Sequence, residues 1–444
     1  MMKNTNCNSA ILLCLIVVSA TRASAATPVS DLSLNEINRA CSLKCIVAEV
    51  LTNNSALRSA RLKWEALQER PDIVRALPDP MVTYGYWFQN VETRVGAMNQ
   101  RVGVAQKIPF FGKRSLASDK AQQEALVAMW EYQTLTRELI LRTKSAYYDL
   151  YRIDRSRGVL TAELDLLKPI IATAQARYEA GKTHQQDVLK ARLASTSTQN
   201  RLLALNQQRE SALARLNALR ERPQASDVTV GEKIETGGLP DRQVAFSIAE
   251  RYRQELQAAN VMIERDEISL ALAKKERWPD FTFGVDYTQI NNNIYSSPPD
   301  NGQDAVMGFV SINIPLWFGK LRAQQREAEK RLESSREARI HVENNVSSEV
   351  QDAWFRAQVA LDQVTLYNES LLPESQQTFD ASQAGYEAAT VSFIDLLDSE
   401  RALLNFRLGL LMSEAELAKA LAALERAMGV DLNVVQEEPE QIRH

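Results

Sequence analysis

The chain has 444 residues, with 52 Lys and Arg against 56 Asp and Glu and a net charge of −4. That balance leaves no basic footprint for nucleic acid. Beyond the N-terminus no run of about 18 apolar side chains occurs, so no transmembrane helix is expected.

Residues 1–25 read as a secretory signal: Lys3, then a short apolar core from Ala10 to Ser19, then Ala23-Ser24-Ala25 as a small-x-small cleavage site. A membrane anchor is the alternative, but the core falls short of the roughly 20 residues a span needs. Ile11-Leu12-Leu13-Cys14 has no small residue just before the cysteine, which argues against lipidation. Cys41 and Cys45 share one face of an expected helix. Export permits a disulfide, although helical backbone suits one poorly. Inert or locally bridged thiols are expected ahead of a soft-metal site, which needs more ligands.

Leu34 to about Glu69 is expected to be helical, capped by Ser33 or Asn35 and interrupted at Asn53-Asn54. Met81 to Phe88 is β-branched and aromatic, as strands prefer. A polar loop, Gln89 to Arg101, leads to a second strand, Val102 to Ile108, which stops at Pro109. From Gly112 to Ala180 only Pro169 and Gly158 interrupt a run of helix formers in which Leu139, Ala146, Leu150 and Ile153 recur at helical spacing. A helix of that length is about 100 Å long and needs partners along it. A tip turn at 181–185 precedes a return helix, Gln186 to Arg222, with an apolar stripe through Leu189, Leu193, Leu202, Leu205 and Leu216. Pro223 to Leu239 reads as a non-helical insert, and Arg242 to Lys275 as one helix. Phe281, Phe283, Val285 and Tyr287 then alternate with polar or small residues, as do Gly308, Val310, Ile312 and Ile314 after a polar loop from Ile290 to Asp304. A second long helix, Gly319 to Ala388, a turn at 389–393 and a return helix, Ile394 to Met428, complete the order. The tail after Gly429 is irregular and acidic.

The chain thus says the same thing twice, about 207 residues apart. Ile108-Pro109-Phe110-Phe111-Gly112-Lys113 returns as Ile314-Pro315-Leu316-Trp317-Phe318-Gly319-Lys320, and Ala176-Arg177-Tyr178-Glu179-Ala180 as Ala384-Gly385-Tyr386-Glu387-Ala388. Pro78-Asp79 and Pro279-Asp280 each open a strand, and Asp187 and Asp395 each lie nine residues past the tyrosine. The organisation is a signal (1–25), a first unit (26–222, hairpin 81–108), an insert (223–240), a second unit (241–428, hairpin 281–314) and a tail (429–444). The fold class is α+β and mostly α: long coiled-coil hairpins plus two β-hairpins. Four strands cannot close a barrel, and an open edge is not tolerated in a bilayer. Three copies would supply 12 strands, an allowed even number. Pro109 and Pro315 sit where strand becomes helix, and Gly112 and Gly319 are expected to permit the bend.

The duplicated Ile-Pro-x-x-Gly-Lys element, the hairpin order and the Tyr-Glu-Ala turns resemble the TolC family of outer-membrane efflux ducts over essentially the whole mature chain. The resemblance implies a homotrimer in the outer membrane, a 12-stranded barrel continued by an α-helical periplasmic tunnel, and two partners: a periplasmic adaptor and an inner-membrane pump, RND type. It implies that the tips, Gly181-Lys182-Thr183-His184 and Ala389-Thr390-Val391-Ser392, dock the adaptor and gate the tunnel. Gly181, Asp187, Tyr386, Asp395 and Asp398 fall on the family's tip and gate positions. Ala389 and Val391 depart from it: Ala389 stands where a Gly is usual, and Val391 where a well-studied member carries a gate Arg. Asp395 and Asp398, spaced i, i+3, share a helix side. In a trimer they form two rings of carboxylates that attract cations; in the plainer reading they cap or solvate a helix. Tyr178 and Tyr386 fit tip packing as well as a gate, and His184 either meets the adaptor or is an exposed loop histidine.

His184, His341 and His444 are scattered, and no Ser-His-Asp set, phosphate-cradling loop or HExxH motif occurs. No enzyme, cofactor or metal site is expected. The alternatives to an efflux duct for small molecules or metal ions are a conduit for a protein substrate and a non-conducting coiled-coil protein of the envelope.

Overall fold

In the computed structural model the described residues are 43–432, apart from 232, 235 and 236. The signal segment, Cys14, Cys41, the expected helix start at Leu34 and the tail past 432 lie outside them. Cys45 is disulfide-bonded, which leaves no thiolate there for a metal.

The first helical stretch is three helices, α1 (Leu43–Asn53), α2 (Ser55–Gln68) and α3 (Arg70–Arg75). Asn54 makes the first break: its side chain accepts from the Leu57 amide at 3.2 Å, an N-cap. Strands β1 (Met81–Thr93) and β2 (Gly96–Ile108) follow. The expected loop Gln89–Arg101 is therefore mostly strand. Its polar residues pair through backbone groups, which alternation of side chains does not reveal. Helix α4 (Lys113–Glu179) runs 67 residues, about 100 Å. Helix α5 (Gln185–Arg220) returns alongside it.

The helix expected over Arg242–Lys275 is broken into α6 (Arg242–Tyr252) and α7 (Gln254–Lys275). Arg253 leaves the helical region (φ −64, ψ 121) because its guanidinium is drawn to the far end of the chain. It donates to the Arg426 carbonyl and reaches Glu349, while Gln254 Nε2 donates to the Gly429 carbonyl at 2.9 Å. Asn54 does the same in the first unit, reaching the Leu219 carbonyl at 3.3 Å. Each break thus ties the ascending helices to the end of the return helix of its own unit.

Strands β3 (Phe281–Ile290) and β4 (Ala305–Ile312) form the second hairpin, with β4 starting three residues before the expected Gly308 and ending two before Ile314. The second long helix is not continuous. It comprises α8 (Phe318–Leu366), a π turn (Tyr367–Leu371) and α9 (Leu372–Glu387), followed by the return helix α10 (Phe393–Met428). Pro373 accounts for the interruption: its ring crowds the preceding turn, and a wider turn, with the Leu372 amide on the Tyr367 carbonyl, makes room.

The four strands form one antiparallel sheet in chain order. Tyr84, Val102, Tyr287 and Val306 lie side by side on one rung, and Val82, Val104 and Val285 on the next. All seven are exposed, so one sheet face is a continuous apolar surface. The other face is mixed, with Met81, Met307 and Phe309 beside small and polar residues. There Arg101 pairs with Asp286, and Gly103 leaves the space that the Asp286 carboxylate occupies. Both β1 and β4 have an open edge. Below the sheet, α4 packs between α7 and α2 and then between α5 and α10, and α8 covers α7 and α10. Small and aliphatic side chains such as Ala353, Ala357, Leu421 and Leu424 fill these seams, as close helix packing requires. Among the described residues no helix is apolar enough to cross a membrane; that says nothing of the sheet.

Candidate functional site

At the first tip, α4 ends with Gly181 in the left-handed region (φ 68). The Gly181 amide bonds the Tyr178 carbonyl at 2.9 Å and the Lys182 amide bonds the Arg177 carbonyl at 2.8 Å, which satisfies the last carbonyls of the helix. Lys182 and His184 are exposed, and His184 precedes α5 without capping it through its side chain. Thr183 instead donates to the Asp187 carboxylate in the first turn.

The second tip repeats the backbone with different residues. Ala389 holds the place of Gly181 and keeps its left-handed conformation (φ 66). For a residue with a Cβ this costs about 1 kcal/mol or more. Ser392 caps α10: Oγ accepts from the Asp395 amide at 3.3 Å and donates to Asp395 Oδ2 at 2.7 Å. Within one protomer Asp395 is thus the first-turn partner of the Ser392 cap. Asp398 is exposed, with Arg401 at 3.4 Å as a loose partner. The structure does not bring Asp187, Asp395 and Asp398 into mutual contact in one copy.

The two tyrosines separate clearly. Tyr178 is 41% exposed, whereas Tyr386 is 5% exposed and packs on Phe393 at 5.3 Å. Burial pushes the Tyr386 hydroxyl above its ordinary pKa. Its partner is Arg177, which the sequence did not single out. The Arg177 guanidinium lies over the Tyr386 ring at 4.7 Å, donates to the Tyr386 carbonyl, and reaches the Glu387 carbonyl at 3.3 Å. A cation therefore does serve the second tip, although residue 391 is a valine. It comes from the opposite helix. Val391 instead fills the space left by Gly385, where a Cβ would strike its methyl group. The signal was in the repeat itself: Arg177 and Gly385 are equivalent positions with opposite chemistry.

One turn above the tip core, Glu163 of α4 and Glu400 of α10 face each other, each 3% exposed. Burial, and a hydrogen bond and repulsion from Glu163, push the Glu400 carboxyl up to about 9; Arg401 and Arg201 pull weakly the other way. Both residues interrupt apolar stripes, Leu160-Glu163-Leu167 and Leu396-Glu400-Leu403-Leu404, which is the sequence signal that could have exposed them.

At the strand–helix junctions Pro109 and Pro315 end β2 and follow β4. Gly112 turns sharply (φ 81) and leaves room for the Lys275 ammonium, which bonds the Phe111 carbonyl at 3.2 Å. Gly319 does not bend. It lies inside α8, because the second junction carries one residue more and starts its helix at Phe318. Lys113 is buried and donates to the Trp278 carbonyl and Asp280 Oδ1, both at 2.9 Å. Elsewhere a groove of about 990 Å³ between α4, α5, α8 and α10 is lined by charges of both signs, among them Arg142, Asp149, Arg215, Asp352 and Lys419. Among the described residues no cluster of three or more His, Cys, Asp or Glu could hold a metal.

The family model described as outer membrane efflux protein matches residues 46–220 and 246–430. The chain is 22% identical over 348 residues to the cobalt-zinc-cadmium resistance protein CzcC of Cupriavidus metallidurans, covering 76% of this chain and 79% of that one. It is 22% identical over 414 residues to the outer membrane efflux protein BepC of Brucella suis, covering 88% and 87%. Among solved structures, the outer-membrane channel OprN superposes with a TM-score of 0.74 at 18% identity, over 88% of this chain and 90% of that one. The outer membrane protein VceC of Vibrio cholerae does so at 0.72 and 18%, over 88% and 96%. With two matched blocks that coincide with the two structural units and cover most of the chain, this protein belongs to the outer membrane efflux protein family, the family of TolC.

Proposed function

We propose that the protein is the outer-membrane duct of a tripartite efflux system. Three copies close a 12-stranded barrel, and their long helices continue it as a periplasmic tunnel. An inner-membrane pump of RND type feeds it through a periplasmic adaptor. The observation that carries this reading is the sheet: its apolar face suits lipid, its two edges are open, and each hairpin feeds a long helix. A bilayer does not accept open edges, so closure needs further copies. Phe111, Trp317 and Phe318 are exposed at the junctions, where an aromatic girdle would meet the membrane surface. A non-conducting envelope rod accounts for the helices but not for that face.

The tips serve as gate and adaptor dock, through Gly181, Lys182 and His184 on one side and Ala389 and Val391 on the other. Tyr386 is a gate element held by Arg177, and Asp187 lies in the facing first tip. Asp395 and Asp398 stack as acidic rings that favour cations. The cargo class is small molecules or metal ions; the likeness to a cobalt-zinc-cadmium resistance protein supports the latter. The test is single-channel conductance of the purified protein in a planar bilayer, with particle mass measured in detergent. Small cation-selective currents from a trimer are expected, with selectivity reduced in Asp395→Asn/Asp398→Asn. Silence from a folded trimer would reject the duct, and unchanged selectivity in the double variant would reject the rings.

A further inference from the structure

The two units of the chain are built alike, but only one of their two junction locks is closed. In the closed one, Lys113 from the first unit's Gly-Lys element binds Asp280, which opens the first strand of the second unit. Asp280 Oδ1 also accepts from the Phe110 amide at 3.1 Å, and Phe110 stacks on Trp278 at 5.1 Å. Lys113 is only 7% exposed, so the pair is sealed inside the protomer. It stands at the foot of the β2·β3 ladder, where Ile108 is opposite Phe281 and Ala105 opposite Gly284.

The repeat supplies an equivalent for the lysine, the aspartate and both strands. Lys320 corresponds to Lys113, Asp79 to Asp280, Leu77 to Trp278, β4 to β2 and β1 to β3. Among the described residues, neither Lys320 nor Asp79 makes an ion pair within the protomer, and both are exposed. Trp317, on the loop before Lys320, is 78% exposed, and Leu77 is exposed beside Asp79. They sit beside the two open strand edges, at opposite ends of the sheet, and cannot meet in one copy.

We infer that β4 of one copy pairs antiparallel with β1 of the next in the register of β2 and β3, and that Lys320 locks onto Asp79 of the neighbouring copy. This rests on the assembly proposed above and specifies its seam. The repeat sets Ile312 opposite Val82, Ser311 opposite Thr83 and Val310 opposite Tyr84. That register extends the apolar face from copy to copy, since Val82, Tyr84, Val310 and Ile312 already lie on it. The seam differs from the internal lock in its charges: Glu276, 3.7 Å from Lys113, has Arg75 as its equivalent, so Lys320 has one carboxylate partner fewer. Lys107 adds a second cation to Asp280 at 3.0 Å, whereas its equivalent, Asn313, is uncharged. The intersubunit carboxylate therefore has one lysine rather than two, and the seam between copies is the weaker of the two joints.

Directly opposed residues of antiparallel strands are about 4.5–5.5 Å apart at Cα, within disulfide reach. The experiment is oxidative cross-linking of the full-length protein purified in detergent, carrying Thr83→Cys with Ser311→Cys. The single variants and the shifted pair Gly85→Cys with Ser311→Cys serve as controls, and particle mass is measured for each. Covalent dimers and trimers on a denaturing gel from the first pair alone are expected. Trimeric mass with cross-links from the shifted pair, or from neither, overturns the register while the assembly stands; absence of a trimer overturns both. Charge reversal supplies an independent reading: Asp79→Lys should lower the temperature at which trimers dissociate, and adding Lys320→Glu should restore it. Failure of that restoration, with the trimer otherwise intact, overturns the lock.

Discussion

Replacing Glu400 by Gln is expected to stabilise the protein at neutral pH and to change little in acid. In the folded protein Glu400 keeps its proton up to about 9, against an ordinary value of 4.5, because burial and then Glu163 disfavour its charge. The folded value is raised, so the stability that accompanies the protonated pair is complete below 4.5 and is lost as pH climbs towards 9. Each pH unit in that window costs about 1.4 kcal/mol, so at pH 7 the loss approaches 3.4 kcal/mol per protomer as an upper bound. Gln keeps the shape and can donate an N–H to Glu163 but has no proton to lose. Denaturant midpoints of the detergent-solubilised protein, taken from pH 4.5 to 8.5, measure this. The two proteins should coincide near pH 4.5 and separate steadily above it, with the variant more stable. Parallel curves, or a gap that closes with rising pH, would refute the reasoning.

Two further substitutions address the tips. Arg177→Met keeps much of the stem but removes the cation over Tyr386 and its bonds to two carbonyls; a loss of about 1–3 kcal/mol is expected locally, read as faster amide exchange at residues 385–392 and a higher open probability in single-channel records. Ala389→Gly relieves a left-handed backbone; a gain of about 0.5–1 kcal/mol in the denaturant midpoint is expected, and a loss would show that the Ala389 methyl makes contacts worth more than the strain.

Much of the architecture was legible because the repeat doubles every signal. The second hairpin was readable from strict alternation. The first was read too short, since beyond Phe88 the strands continue on polar residues, and the ladder there is held by backbone pairing. The break at Arg253 was invisible for a different reason: Tyr252, Arg253 and Gln254 carry no turn signal, and the kink is caused by partners 96 and 173 residues away. The tip turns were legible as turns, but not their wiring. A capping Ser392 and an arginine borrowed from the other helix depend on which faces meet. Glu163 and Glu400 were hidden by habit, as charged residues are normally assigned to solvent, although their places in two apolar stripes put them inside.

The duplication is informative where its copies disagree. At its junction and its tip the first unit spends glycine where the backbone turns left-handed, Gly112 and Gly181, and its long helix runs unbroken past Pro169. The second unit puts an alanine in the left-handed tip, starts its helix without a bend at Gly319, and widens a turn at Tyr367–Leu371. At the tip, strain and irregular backbone therefore gather in α9 and α10, whereas the α4–α5 half keeps its one left-handed non-glycine, Glu221 (φ 55), at the far end of α5. The two halves meet near the tip through α4 and α10, at a seam that includes the buried Glu163–Glu400 pair and, at its end, the Arg177–Tyr386 contact. Separating them exposes carboxyls that prefer to ionise in water and releases an arginine to solvent, both of which lower the cost of parting. In the gate proposed above, these are contacts that water can replace, and the coil with the strained turn is the one that gains most by moving.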